Sequence, residues 1–206
     1  MDPDFGIYHH SNREESEKLR KNAELLFNES FKKTGMDRES EINILDAGCG
    51  LGFLTYIASS YFINARIYAL DKFSGNELQG ISVEKLKINL ETLKISDRVD
   101  VIEGDLAEKL NLDESFDLVV SNLVLHNLGR SRFRAYENIK SAMKEGSYFI
   151  NADGFIRRNI FMNPLKNDMN KLNGIFEPAF AMSLKGDENF FFKYILVGLK
   201  PVFNQP

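Results

Sequence analysis

Ile44-Leu45-Asp46-Ala47-Gly48-Cys49-Gly50-Leu51-Gly52-Phe53 is the stretch that decides the fold of this chain. An apolar run ends in an acid, a glycine-dense turn follows, and Leu51–Tyr61 reads as a helix. The order is therefore strand, glycine-rich loop, helix. Such a loop strips side chains from the backbone where a ligand can lie against it, close to a helix N-terminus. The spacing is G-x-G-x-G, with an acid two residues before the first glycine. A dinucleotide-binding loop needs G-x-G-x-x-G, and a P-loop ends in Gly-Lys-Ser/Thr. The glycine spacing and Asp46 both argue against a nicotinamide dehydrogenase.

A carboxylate at the mouth of the loop repels a pyrophosphate and attracts an ammonium group. The ligand it suits is a nucleoside carrying an amino-acid tail, and S-adenosylmethionine (SAM) fits that description. Asp46-Ala47-Gly48-Cys49-Gly50-Leu51-Gly52 resembles motif I of the class I SAM-dependent methyltransferases.

Outward from the loop, strand and helix signals alternate. A helix capped by Ser11 or Asn12 runs to about Lys33 and stops at Gly35. Its apolar positions Leu19, Ala23, Leu26, Phe27 and Phe31 keep a helical period. Strands are expected over Ile42–Ala47, Ala65–Leu70, Val99–Ile102, Phe116–Val120 and Tyr148–Asn151. Helices are expected near Val83–Leu93, Ser131–Met143 and Pro164–Leu172. Phe180–Leu184 and Phe190–Leu199 follow each other across Gly186-Asp187-Glu188-Asn189, which predicts an antiparallel hairpin. The elements specify an α/β fold with a mainly parallel sheet and helices on both faces. The family resemblance adds the Rossmann-like, seven-stranded arrangement. One domain spans 1–206: an N-terminal flap and helix at 1–36, a cofactor-binding core at 42–153, and a substrate-side helix and hairpin at 154–206.

Ligands of open α/β sheets bind beyond the carboxyl ends of the strands, and four strands end there in a polar residue: Asp46, Asp71, Asp105 and Asn122. Asp71 is placed to accept charge-assisted hydrogen bonds from ribose hydroxyls. Lys72 follows it where the family often has an apolar residue against the adenine, and its alkyl stem can serve. The resemblance, which covers residues 42–153, implies that Asp105 and the Leu106 backbone meet the adenine. It places Asn122 beneath the methionine part of the cofactor, and Gly48, Gly50 and Gly52 form the loop.

Methyl transfer from a sulfonium is an in-line displacement, so positioning supplies most of the catalysis. A general base is needed when the acceptor arrives protonated, and His126 is the candidate. His9 and His10 are candidates for a flap over the site, and Asp153, at the end of the fifth strand, for the substrate side. The three histidines show no zinc-type spacing with acids, so no metal is expected. The single Cys49 excludes an internal disulfide and is read as structural.

With 43% hydrophobic and 27% charged residues and a net charge of −4, the chain has a globular composition without a large basic footprint. It contains no apolar run long enough to span a membrane and no signal-peptide pattern, so a cytoplasmic setting is expected. The first expectation is a small-molecule acceptor, built around Phe5–His10, Phe155–Leu172 and Phe180–Met182. RNA or protein as acceptor is the alternative, with Ile156-Arg157-Arg158-Asn159, Lys166 and Lys171 as a basic rim. Ser121-Asn122-Leu123-Val124 departs from the Asn-Pro-Pro-Tyr of base-amino methylating enzymes, so a flipped base, and nucleic acid generally, is not expected. A non-catalytic SAM-binding partner protein is the third reading.

Overall fold

A computed structural model of the chain describes residues 2–75, 77–156, 164–184 and 192–203. Seven strands form one sheet: β1 (Asn43–Ala47), β2 (Arg66–Asp71), β3 (Val99–Glu103), β4 (Phe116–Asn122), β5 (Met143–Ile156), β6 (Phe176–Met182) and β7 (Phe192–Pro201). Their spatial order is β3-β2-β1-β4-β5-β7-β6. The first five are parallel, and β7 runs antiparallel to both β5 and β6. The expected hairpin is present, and its Gly186–Asn189 connection lies outside the described residues. β5 is longer than expected: Met143 already pairs with Phe116, the register shifts, and Gly146 takes a φ of +79° before regular pairing resumes at Tyr148.

Strand alternation divides the core in two. Ile44, Ile67, Leu118 and Ile150 point to one face, where α1 (Arg13–Thr34), α2 (Phe53–Tyr61) and α3 (Val83–Thr92) bury Phe27, Phe31, Ile57 and Leu86. Leu45, Val119 and Phe149 point to the other, covered by Tyr136 and Ile139 of α4 (Arg132–Ser141) and by Leu172, which follows α5 (Pro164–Lys171). Each fully buried large apolar side chain contributes about 1.5–3 kcal/mol.

The start of α1 is set by a capping box. The Asn12 side chain accepts from the Glu15 backbone N–H, and the Glu15 carboxylate accepts from that of Asn12. Gly35 closes the helix in the left-handed conformation. Among the described residues no helix is long and apolar enough to cross a membrane.

Candidate active site

β1, β2, β3 and β4 deliver their C-terminal ends to one edge of the sheet, where a cleft opens. Its wall combines Gly48–Leu51 after β1, Asp71 and Lys72 after β2, Gly104–Leu106 after β3 and Asn122–Val124 after β4. Asp71, Lys72, Asp105, Leu106, Asn122, Gly48 and Gly50 therefore meet around one space.

The loop is held from below. The N–H groups of Gly48 and Cys49 both donate to the Leu70 carbonyl, at 2.8 and 3.0 Å. Gly48 has φ +84°, and a Cβ there would stand 2.4 Å from Cγ2 of Val124. Cys49 is buried, and its thiol pKa is pushed well up by burial and by the acids around it, so it is inert as a nucleophile.

Asp71 ties loop to strand. One carboxylate oxygen accepts from the Gly50 N–H at 2.9 Å and the other from the Phe73 N–H at 2.9 Å. Burial raises its pKa, and these backbone donors offset part of the rise. Each oxygen keeps a lone pair for a ligand hydroxyl. Asp105 accepts from the Ala107 N–H at 2.8 Å. The Leu106 carbonyl is already engaged by Asn138 of α4.

Three expected site residues stand back from the wall. Asp46 is not at the mouth of the loop: it is fully buried, because its side chain lies on the α2 face of β1, where Oδ2 accepts from the Thr55 hydroxyl at 2.6 Å. Its other oxygen has no hydrogen-bond partner among the described residues. Burial drives the Asp46 pKa up to about 7, against the lowering effect of Thr55. Gly52 serves packing, since a Cβ there would stand 2.7 Å from Leu86 of α3. His126, on the 3-10 turn Leu125–Ser131, is paired with Asp153, while its neighbours Asn127 and Leu128 reach the wall.

That pair joins the turn after β4 to β5, which runs on past Asp153, where the sequence predicted its end, to Ile156. Nδ1 of His126 hydrogen-bonds Asp153 Oδ1, and the His126 backbone N–H donates to Asp153 Oδ2 at 3.0 Å. Burial of the imidazole lowers its pKa, and the hydrogen bond and charge of Asp153 more than offset this, so it lies above the usual value.

Phe5 and Tyr8 complete the wall. Residues 4–9 run antiparallel to the segment after β2, with a bridge between Tyr8 and Leu78 and bonds from Gln79 N–H to the Ile7 carbonyl and from His9 N–H to the Glu77 carbonyl. Of this segment Phe5 and Tyr8 reach the wall, and His9 and His10 are exposed and do not. The Asn122 amide links Tyr8 to Tyr194 of β7: Nδ2 donates to the Tyr8 hydroxyl at 3.5 Å, and Oδ1 accepts from the Tyr194 hydroxyl at 2.6 Å. Nothing local in the sequence signals this meeting. The three residues come from a terminal segment, a strand end and the last strand. Among the described residues no group of three or more His, Cys, Asp or Glu is arranged to hold a metal ion.

A parallel sheet of this order with an antiparallel strand near one edge, and an acid-preceded glycine loop opening onto a cleft, defines a Rossmann-like class I methyltransferase. The family model described as "Methyltransferase domain" matches residues 38–190, and the chain belongs to that family. Its cofactor is SAM. The malonyl-[acyl-carrier protein] O-methyltransferase of Priestia megaterium is 34% identical over 105 residues, 50% of this chain and 34% of that protein. A ribosomal protein L11 methyltransferase of Oceanobacillus iheyensis is 29% identical over 107 residues, 52% of this chain and 30% of its own length. The chain thus spans about a third of the curated relatives it matches. The solved structure of StiE O-MT residues 961–1257 shares the fold at a TM-score of 0.66 and 17% identity, covering 97% of this chain and 84% of that one.

Proposed function

We propose that this chain transfers the methyl group of SAM to a small-molecule acceptor, with each strand end holding one part of the cofactor. The observation that carries the reading is the convergence of Gly48–Gly50, Asp71, Asp105 and Asn122 on one cleft. The cofactor supplies an activated methyl on a sulfonium. What remains for the protein is to bind, orient and keep water out.

Asp71 accepts from the ribose hydroxyls, held in place by the Gly50 and Phe73 amides. Asp105 and the Leu106 backbone take the adenine, with the Lys72 stem alongside. Gly48 and Gly50 let the methionine part lie against bare backbone. The unpartnered oxygen of Asp46 supports a ligand with an ammonium group, because a buried carboxylate oxygen without a donor is costly unless a cation compensates it. Asn122, fixed by two tyrosines, stands at the β4 end. A small acceptor is favoured by Phe5 and Tyr8, which add aromatic side chains to the cleft wall and narrow what can approach.

Calorimetric titration with SAM, S-adenosylhomocysteine and NAD tests the reading. Micromolar binding of the first two and none of NAD is expected. Binding of NAD in their place overturns it.

A further inference from the structure

We infer that the acceptor is a carboxylic acid, methylated on oxygen to its methyl ester, and that the Tyr8 hydroxyl, backed by the Arg20 guanidinium, receives its carboxylate. The inference rests on the methyltransferase reading above.

Arg20, on α1, is only 9% exposed. Its Nη1 donates to the Gly6 carbonyl at 3.2 Å, and its Cζ lies 5.4 Å from the centre of the Tyr8 ring, within the range of a cation held over an aromatic face. None of the ion pairs among the described residues includes it. A buried charge without an opposite charge is costly, so an anion arriving beside it is favoured. Arg20 does not reach the cleft wall, and the Tyr8 ring against it does.

Its neighbours make the Tyr8 hydroxyl a donor. The Tyr194 O–H donates to Asn122 Oδ1 at 2.6 Å, the length of an O–H···O bond and short for N–H···O, which fixes the way the amide faces. Asn122 Nδ2 is then the atom facing the Tyr8 oxygen, at 3.5 Å, and the Tyr8 proton is left to donate elsewhere. Burial raises the Tyr8 pKa, Arg20 opposes the rise and Asp46 adds to it, so the phenol keeps its proton at neutral pH. Asp46 is the acid assigned above to the cofactor's ammonium. The strand ends run β3, β2, β1, β4 across the cleft. Adenine, ribose and methionine groups are assigned to the first three, and Tyr8 meets Asn122 at the fourth, where the acceptor approaches.

The wall divides by charge along the same line. Its acids are Asp71 after β2, Asp105 after β3 and Glu77, whose carboxylate lies against Gly75 in the segment after β2. At the β4 end Tyr8, Asn122, Leu123, Val124, Asn127 and Leu128 carry no charge. An amine arriving as its ammonium needs an acid to receive it, and an alcohol needs a base. The wall at this end supplies neither, since His126 stands off it, paired with Asp153. A carboxylate, ionised above about pH 4, brings its own nucleophilic lone pair and asks only for donors. In the step, one carboxylate oxygen bonds to the methyl carbon while the other accepts from the Tyr8 O–H. The electron pair of the breaking carbon–sulfur bond goes to sulfur. A methyl ester and S-adenosylhomocysteine result, and no proton moves.

The test uses the full chain, methyl-tritiated SAM and three probes on one apolar frame: phenylpropionate, phenylpropanol and phenylpropylamine. Tritiated methanol released by alkali, which a methyl ester gives and an ether or amine does not, is expected from the acid alone. The Tyr8 donor binds the charge that the reaction consumes, so its loss shows in KM. Tyr8→Phe keeps the ring in the wall and is expected to raise KM for the acid by about 10–100-fold, with kcat and SAM affinity near wild type. Arg20→Gln is expected to raise KM in the same direction, and Arg20→Lys, which keeps the charge, to raise it less. Should the Arg20 variants fail to fold, Tyr8→Phe carries the comparison. An unchanged KM in Tyr8→Phe overturns the inference, as does methylation of the alcohol or the amine in preference to the acid. So does a wild type that binds SAM and does not esterify the acid. SAM affinity that falls in Tyr8→Phe together with the rise in KM assigns the received carboxylate to the cofactor's own tail and overturns the acceptor class. Failure to bind SAM at all overturns the methyltransferase reading instead.

Discussion

Asn89 and Asp4, 85 residues apart, exchange two hydrogen bonds of 2.9 Å: the Asp4 N–H donates to the Asn89 side-chain oxygen, and the Asn89 amide donates back to the Asp4 carbonyl. The same amide also donates to the Leu51 carbonyl at 2.9 Å. One buried side chain on α3 thereby fastens the N-terminal flap to the glycine loop. Asn89→Ala leaves three polar partners unmet, and a loss of roughly 1.5–4 kcal/mol in urea unfolding is expected. Amide exchange should accelerate at residues 4–9 and at the loop together. Acceleration at only one of them would show that the two are not joined through Asn89.

The first two glycines of the loop answer to different neighbours. A side chain at Gly48 meets Val124 at 2.4 Å in a strained backbone, so Gly48→Ala should lower Tm markedly. A side chain at Gly50 first meets only the tip of Leu78, at 2.9 Å. Gly50 too has a positive φ, +53°, so Gly50→Val should also lower Tm, and the protein that remains folded by circular dichroism should lose SAM binding by calorimetry. Normal SAM affinity in that variant would mean that the loop does not cradle the cofactor.

Asp71→Ala removes an acceptor for the ribose and releases the Gly50 and Phe73 amides. Binding of S-adenosylhomocysteine should weaken by about 1.5–3 kcal/mol, the worth of hydrogen bonds to a charged group. An unchanged affinity would remove Asp71 from the site.

The raised pKa of Asp46 gives the proposed ammonium contact a pH test. With its pKa near 7 in the free protein, the carboxylate is mostly protonated at pH 6 and ionised at pH 8. An ammonium binds the ionised form, so SAM affinity should rise about sixfold from pH 6 to a maximum near pH 7.5 and fall above it as the ligand's own amine, with a reference pKa near 8, loses its proton. Calorimetry in buffers of different ionisation enthalpy should record proton release at pH 6.5. In the free chain the raised pKa has the opposite effect. The folded state holds a proton that the unfolded chain loses above about pH 4, so the Asp46 contribution to stability falls as pH rises from about 4 to 7. Thr55→Val removes the hydrogen bond that lowers this pKa and should move both windows upward. A flat affinity across pH 6–8 would disconnect Asp46 from the ammonium.

What was legible in the sequence was local. The Asn12 cap, Gly35, the β-branched strands and the polar residues at or near the ends of the first four strands all act within a few residues, and most elements formed where those signals lie. The Asp46 side chain was misplaced because alternation along β1, and not its place beside the glycines, decides which way it points. Asn89 carried a readable signal that went unused: an amide on the buried stripe of α3, beside Leu86 and Leu90. A polar residue there needs partners, and the partners are the flap and the loop. The wall position of Tyr8 and the pairing of His126 with Asp153 depend on sheet order, which no short window contains.

β7 follows β6 in sequence yet lies between β6 and β5, and it brings Tyr194 to Asn122. During synthesis β6 emerges before β7, the strand it pairs with, and Asn122 lacks one of its two tyrosines until Tyr194 has left the ribosome. The β4 end of the cleft is therefore completed last, after the strand ends of β1, β2 and β3 are in place.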